Sequence, residues 1–172
     1  MPGIRIRKAE ITDAPRMADI AYRAWEDGIL PILIAQPGMK ETERRRLSHA
    51  VGDGWPYSIV AEIDDVVVGW CSRSPRRSYI PYLFVMPDMQ GHGIGASLLE
   101  RMEMMLELLG AERVHLETPA DHVRAVRFYE RQGYRILALR SDGRGGHDPF
   151  ASVHLEKRLR PYEGAIEDED GN

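Results

Sequence analysis

A single cysteine in 172 residues excludes a disulfide framework and a cysteine-rich zinc site. Cys71 lies in the apolar run Val66-Val67-Val68-Gly69-Trp70-Cys71, where the expected role is a buried thiol in a strand and the expected home the reducing cytoplasm. Basic charge is also short. Lys and Arg number 23 against 27 Asp and Glu, a formal net charge of −4, which argues against a nucleic-acid binder working through a basic face and suits a cationic partner better. The opening residues Met1-Pro2-Gly3-Ile4-Arg5 have no apolar signal core, and no stretch approaches the length of a membrane span, so neither export nor a membrane anchor is expected. Internal repeats are lacking too.

What is present is ordinary globular composition, 43% hydrophobic and 29% charged, enough to close one core. One domain is expected over residues 1–160, followed by an acidic tail, 161–172, that contains Glu167-Asp168-Glu169-Asp170. Ile4 to Lys8 alternates as a half-buried strand, and Thr12 or Asp13 offers a cap for a helix whose Met17, Ile20, Ala21, Ala24 and Trp25 form one buried stripe. Pro31 and Pro37-Gly38 mark an irregular loop, after which a charged helix spans about Lys40 to Val51. Two β-rich runs around Asp64-Asp65 read as a hairpin without the preferred turn glycine. A fourth strand is expected over Ser78 to Val85, bulged or parted from one neighbour at Pro81, which has no amide hydrogen to give. Gly91 to Leu109 reads as the longest helix, with Glu100, Arg101, Glu103 and Glu107 on its outer face. Arg113 to Thr118 reads as a strand, Asp121 as the cap of a helix to about Gln132, and Tyr134 to Arg140 and Phe150 to Leu159 as closing strands. The segment from Ser141 to Pro149 reads as a mobile loop.

The most informative segment is Val85-Met86-Pro87-Asp88-Met89-Gln90-Gly91-His92-Gly93-Ile94-Gly95-Ala96-Ser97, a strand turning sharply into a helix. Glycines at 91, 93 and 95 remove side chains where the first helical N–H groups have no intrahelical acceptor, which makes a cradle for a diphosphate at the positive end of the helix dipole. A nucleotide P-loop would need Gly-Lys-Ser/Thr, and Ala96-Ser97 follows instead. A dinucleotide fingerprint would need Gly-x-Gly-x-x-Gly after a first strand.

Gln90-x-x-Gly93-Ile94-Gly95 after Leu83-Phe84-Val85-x-Pro87 resembles the acetyl-CoA signature of the GNAT superfamily of N-acetyltransferases. A second run, Ala125-Val126-Arg127-Phe128-Tyr129-Glu130-Arg131-Gln132-Gly133-Tyr134, matches that family's downstream motif, and the element order is similar over about residues 4–159. The resemblance implies an α/β fold with a mixed, mostly antiparallel sheet of about seven strands, splayed between the fourth and fifth and flanked by about four helices. It further implies acetyl-CoA as co-substrate, lying in the splay. Its pantetheine and acetyl contacts would fall on the backbone of Leu83, Phe84 and Val85, and its pyrophosphate on Gly91, His92, Gly93, Ile94, Gly95 and Ala96. One strand amide would stabilise the oxyanion, an effect worth about 3 kcal/mol in other acyl-transfer enzymes.

Tyr129 is the implied general acid for the departing thiolate. Phe128 and Tyr129 point about 100° apart on a helix, so one can enter the core while the other faces the cleft. A thiol titrates near 8.5 and a phenol near 10, so the role rests on a positioned donor rather than on proton affinity. For the base, either Glu117, a dozen residues before Tyr129 as in the branch that acetylates protein N-termini, or a chain of water takes the proton; Glu62 is the reserve. The family often has Asn where His122 stands. His122 could donate one hydrogen bond to the cofactor there, against the reading of a surface histidine at a helix start. His115, His147 and His154 show no metal-ligand pattern, and no metal site is expected.

The acceptor implied is a primary amine of a small molecule or peptide. Trp25, Glu26, Asp27, the apolar run Ile29 to Ile34 and the loop near His147 are the segments expected to meet it; otherwise Trp25 is core, and the apolar run packs on the sheet or against a second subunit of a homodimer. A module that holds acyl-CoA as a sensor without turnover is the rival reading, with Tyr129 and Glu117 against it.

Overall fold

The computed structural model describes residues 3–140 and 151–159; the tail after 159 and the loop near His147 lie outside the described residues. In chain order the elements are β1 (Arg5–Lys8), α1 (Ala14–Gly28), α2 (Met39–Gly54), β2 (Ser58–Ile63), β3 (Val66–Ser72), β4 (Tyr82–Val85), α3 (Ile94–Leu108), β5 (Arg113–Pro119), α4 (Val123–Arg131), β6 (Arg135–Arg140) and β7 (Ser152–Arg158), with short 3₁₀ turns between some of them. Four strands form one antiparallel sheet in the order β1-β2-β3-β4, and three form another in the order β5-β7-β6. The expected seven strands and four α-helices are there, and the single expected sheet is two, joined by a parallel bridge between Tyr79 and His115.

That bridge explains the parting of the sheets. Ile80 donates its amide to the His115 carbonyl, and His115 donates to Ser78, each at 2.9 Å. Pro81 follows and has no hydrogen to offer, so the pairing stops and β4 continues alone beside β3. The strand is accordingly shorter than the Ser78-to-Val85 run. The β2–β3 turn works without glycine because Asp64 and Asp65 both take positive φ, 50° and 60°, a region that aspartate tolerates better than most residues.

Helices α3 and α4 cover one face of both sheets. Ile94, Leu98, Leu99, Met102 and Leu106 of α3 pack with Val85, Val114, Leu116, Val153 and Leu155. Helices α1 and α2 cover the other face of the four-stranded sheet only, through Met17, Ile20, Trp25, Leu47 and Val51 against Val60 and Trp70, with the Trp70 indole donating to the Met17 carbonyl at 2.9 Å. Trp25 is therefore core, and Leu30 and Leu33 of the apolar run pack against this cluster while Ile34 is exposed. The outer face of the three-stranded sheet carries His115, Glu117, His154 and Arg140 and, among the described residues, no helix.

Three local readings change. Gly91 to Gly93 are not helical, since α3 begins at Ile94 with Gly93 as its cap. Helix α4 begins at Val123 with His122, not Asp121, in the cap position, and no side chain caps it. Glu103 is buried rather than on the outer face, accepting hydrogen bonds from the Tyr134 hydroxyl at 2.9 Å and from Lys157 Nζ at 2.8 Å. A carboxylate in that position is tolerated because both partners satisfy it.

Gly69 sets how closely β3 approaches β4 and α3. A Cβ there would lie 3.0 Å from the Phe84 carbonyl oxygen and 3.2 Å from Leu98 Cδ1. Gly69→Ala is expected to destabilise the domain by roughly 1–3 kcal/mol, the usual cost of overpacking. Urea unfolding checks this; an unchanged midpoint would show that β4 can shift to make room.

Candidate active site

The mouth of the cleft is built by β4 on one side and β5 on the other, beyond the Tyr79–His115 bridge. The β3–β4 register pairs Gly69 with Val85, Trp70 with Phe84 and Cys71 with Leu83, and Met86 donates to Val68 at 2.8 Å. Because hydrogen-bonded pairs alternate along an antiparallel ladder, Phe84 spends its amide on Trp70, while the amides of Leu83 and Val85 point away from β3 toward the splay. The sequence named three backbone groups here, and the ladder leaves two. Val85 offers its N–H only, since its carbonyl accepts from Gln90 Nε2 at 3.1 Å, a bond that also ties the glycine loop to the strand end.

At the loop itself, Gly91 and Gly93 take φ of 79° and 81°. A Cβ at either position would meet nothing within 4 Å. Positive φ explains the residue type, and the open space in front of it is room for a ligand. The first helical amide with a backbone partner is Ser97, bonded to the Gly93 carbonyl at 3.0 Å, so the N–H groups from Gly93 to Ala96 have no partner among the described residues. His92 is exposed and turns back on the loop, its Nδ1 3.2 Å from the Met89 carbonyl. Ile94 is buried, anchoring the turn. Gly95 is different from its neighbours: a Cβ there would sit 3.4 Å from the Phe128 ring, so this glycine lets α4 close onto α3.

Phe128 thus seats against the glycine loop, and Tyr129, the next residue, turns elsewhere. Its ring meets Phe128 and Tyr134 edge-on with centroids 5.2 and 5.7 Å apart. Burial, with smaller contributions from Cys71 and Tyr79, pushes the Tyr129 phenol above the ordinary tyrosine range, so it stays protonated. Cys71 is fully buried, and burial likewise raises its thiol.

On the other wall, Glu117 lies on β5 with its Oε1 3.0 Å from Arg140 Nη1. Tyr79, at the bridge, was not singled out from sequence. Burial, then Glu117 and Tyr82, push its phenol up to about 12. Tyr79 is thereby close in charge terms to both Glu117 and Tyr129, the two residues that the sequence reading put at the chemistry.

Two other candidates lie away from the cleft mouth. Glu62 is on β2, two strands from β4, where Arg5 and Arg7 bind both of its oxygens and hold it below the usual carboxylate range. It is no reserve base. His122 is not a surface histidine: a Cβ on Gly28 would lie 3.1 Å from its Nε2, so the imidazole packs on the last turn of α1, and burial, then Arg124, lower its pKa.

The comparisons with known proteins bear on this geometry. The model of the Acetyltransferase (GNAT) family matches residues 16–134, more than half of the chain. An acetyltransferase of Pectobacterium atrosepticum is 32% identical over 81 residues, covering 46% of this chain and 57% of that protein. N-alpha-acetyltransferase 30 of Schizosaccharomyces pombe is 32% identical over 88 residues, covering 46% of this chain and 59% of that protein. The chain thus spans less than two thirds of the length of both curated relatives. In fold, the chain is similar to the PaiA N-acetyltransferase of Thermoplasma acidophilum, solved in complex with coenzyme A, with a TM-score of 0.75 at 18% identity over 91% of this chain and 99% of that one. The splayed strands, the glycine turn and the family match converge, and the chain belongs to the GNAT family of acetyltransferases, whose co-substrate is acetyl-CoA.

Proposed function

We propose that this protein transfers the acetyl group of acetyl-CoA to a primary amine by direct attack in a ternary complex. What supports the reading is the set of groups around the splay: four amides, Gly93 to Ala96, without a partner among the described residues, two strand amides at Leu83 and Val85 that point away from β3, and the buried, protonated phenol of Tyr129. The free amides, with Gly91 and His92 leading into them, accept the pyrophosphate. The amides of Leu83 and Val85 hold the pantetheine arm and one of them receives the negative charge that develops on the thioester oxygen. Glu117, through its oxygen not engaged by Arg140, takes the proton that the ammonium must shed before its lone pair can attack. The C–S bond then breaks, Tyr129 gives its proton to the sulfur, and the second proton shed by the attacking nitrogen restores the phenol through solvent. His122, occupied with Gly28, is assigned no cofactor contact. A reducing compartment suits the unpaired Cys71.

Incubation with labelled acetyl-CoA and a panel of amines and peptides, read by mass spectrometry, tests the proposal. Amide product in equal amount to released thiol is the expected result. Binding of acetyl-CoA without product from any amine would overturn it in favour of a sensor.

A further inference from the structure

The open face of the three-stranded sheet holds a polar cluster that the reaction as described uses only in part. Arg140, the last residue of β6, reaches across two strands. Its Nη1 donates to Glu117 Oε1 on β5 at 3.0 Å, and its Nη2 lies 3.0 Å from His154 Nδ1 on β7. Glu117 and His154 are direct cross-strand partners, and the β6 residue opposite His154 is Ala138, which covers nothing. A guanidinium can only donate, so Nδ1 of His154 must be the accepting nitrogen and the ring proton must sit on Nε2. Burial, then Arg140, lower the His154 pKa, which agrees with a neutral ring. The other charged or titratable groups facing the pair are His115, whose ring centroid is 5.3 Å from that of His154, Glu156 beside it, and Tyr79 from the segment before β4.

We infer that Arg140 is the positioning residue of the acceptor subsite, fixing Glu117 and His154 as an acceptor–donor pair for a primary ammonium with a neighbouring carbonyl, as at a peptide N-terminus. The inference rests on the transfer reading above and gives it a substrate class. Glu117 Oε2 has no partner among the described residues and takes the ammonium; the Nε2–H of His154 donates to the carbonyl. An alkylamine satisfies the first group and leaves the half-buried second one without its partner, so a peptide N-terminus gains a hydrogen bond that an alkylamine cannot make. Arg140 touches neither part of the acceptor. Its work is to stop the carboxylate rotating and to choose the histidine tautomer.

The test uses the full chain, its Arg140→Met and Arg140→Lys variants, a library of tetrapeptides with free N-termini, and n-butylamine. In nitrogen NMR without substrate, wild-type His154 is expected as the neutral Nε2–H tautomer, and Arg140→Met should lose that preference and titrate at higher pH. In transfer assays, Arg140→Met should raise the acceptor KM for the best peptide by about 10-fold or more, the loss expected when one charge-assisted hydrogen bond is disordered. KM for acetyl-CoA should stay within about twofold, and Arg140→Lys should recover part of the loss, since an ammonium reaches one partner but not both. An Nδ1–H tautomer in the wild type, an unchanged acceptor KM, or butylamine outpacing every peptide would each overturn the inference. The expected NMR result with no transfer to any amine would sink the transfer reading and the acceptor role with it, leaving Arg140 only as the group that fixes the Glu117 and His154 geometry.

Discussion

Gly93→Glu is expected to lower affinity for coenzyme A by more than about 100-fold, measured by calorimetry, because it removes two or more hydrogen bonds to charged oxygens, each worth about 1.5–3 kcal/mol. Two effects combine. Gly93 has φ of 81°, and a side chain there costs about 1–2 kcal/mol of backbone strain at the start of α3. The open space where its Cβ would lie is the space a diphosphate would fill, and a carboxylate there presents the wrong charge to an incoming phosphate while satisfying the same amides. Gly93→Asn separates the two. Asparagine accepts positive φ more readily, so a loss of binding without loss of melting temperature would locate the effect in the cradle. Wild-type affinity in Gly93→Glu would show that the pyrophosphate lies elsewhere, and Gly95→Ala, which presses on Phe128 instead, would then be uninformative about binding.

How much of this was legible in the sequence follows from how local each signal is. The hairpin and the sharp turn from β4 into a helix are written within a few residues and read correctly, although the helix starts at Ile94 rather than at Gly91. Glu103 did not, because the groups that make its burial tolerable come from positions 31 and 54 residues away, and a helical wheel cannot display them. Tyr79 was missed for the same reason: what makes it notable is a bridge to His115 across the whole of α3. Arg140 closed a strand in the sequence and carried no motif, yet the sheet brings it to Glu117, 23 residues earlier. Pro81 is the instructive middle case. Its chemistry predicted that pairing would fail there and the resemblance implied a splay, and the fold shows that the splay is complete enough to make two sheets.

Tyr129→Phe is expected to reduce kcat by about 10²–10⁴-fold, the usual contribution of a positioned proton donor, while acetyl-CoA binding changes by no more than about twofold. The ring contacts with Phe128 and Tyr134 survive the substitution, so the lost group is the hydroxyl alone. The pH dependence carries the sign of the mechanism. Because burial raises the Tyr129 pKa, the donor form persists as pH rises, and the wild-type rate should show no fall due to this group below pH about 10, the ordinary value for a phenol. A bell that turns down near pH 8 would have to come from another residue. If Tyr129→Phe turns over at the wild-type rate, the proton comes from elsewhere, and Tyr79 is the group to test next, since burial also raises its phenol and it stands at the bridge where the two sheets part, near enough to Tyr129 to influence it. The double variant would then decide whether one hydroxyl substitutes for the other: a further drop beyond either single change means two independent donors, and no further drop means one proton path passing through both.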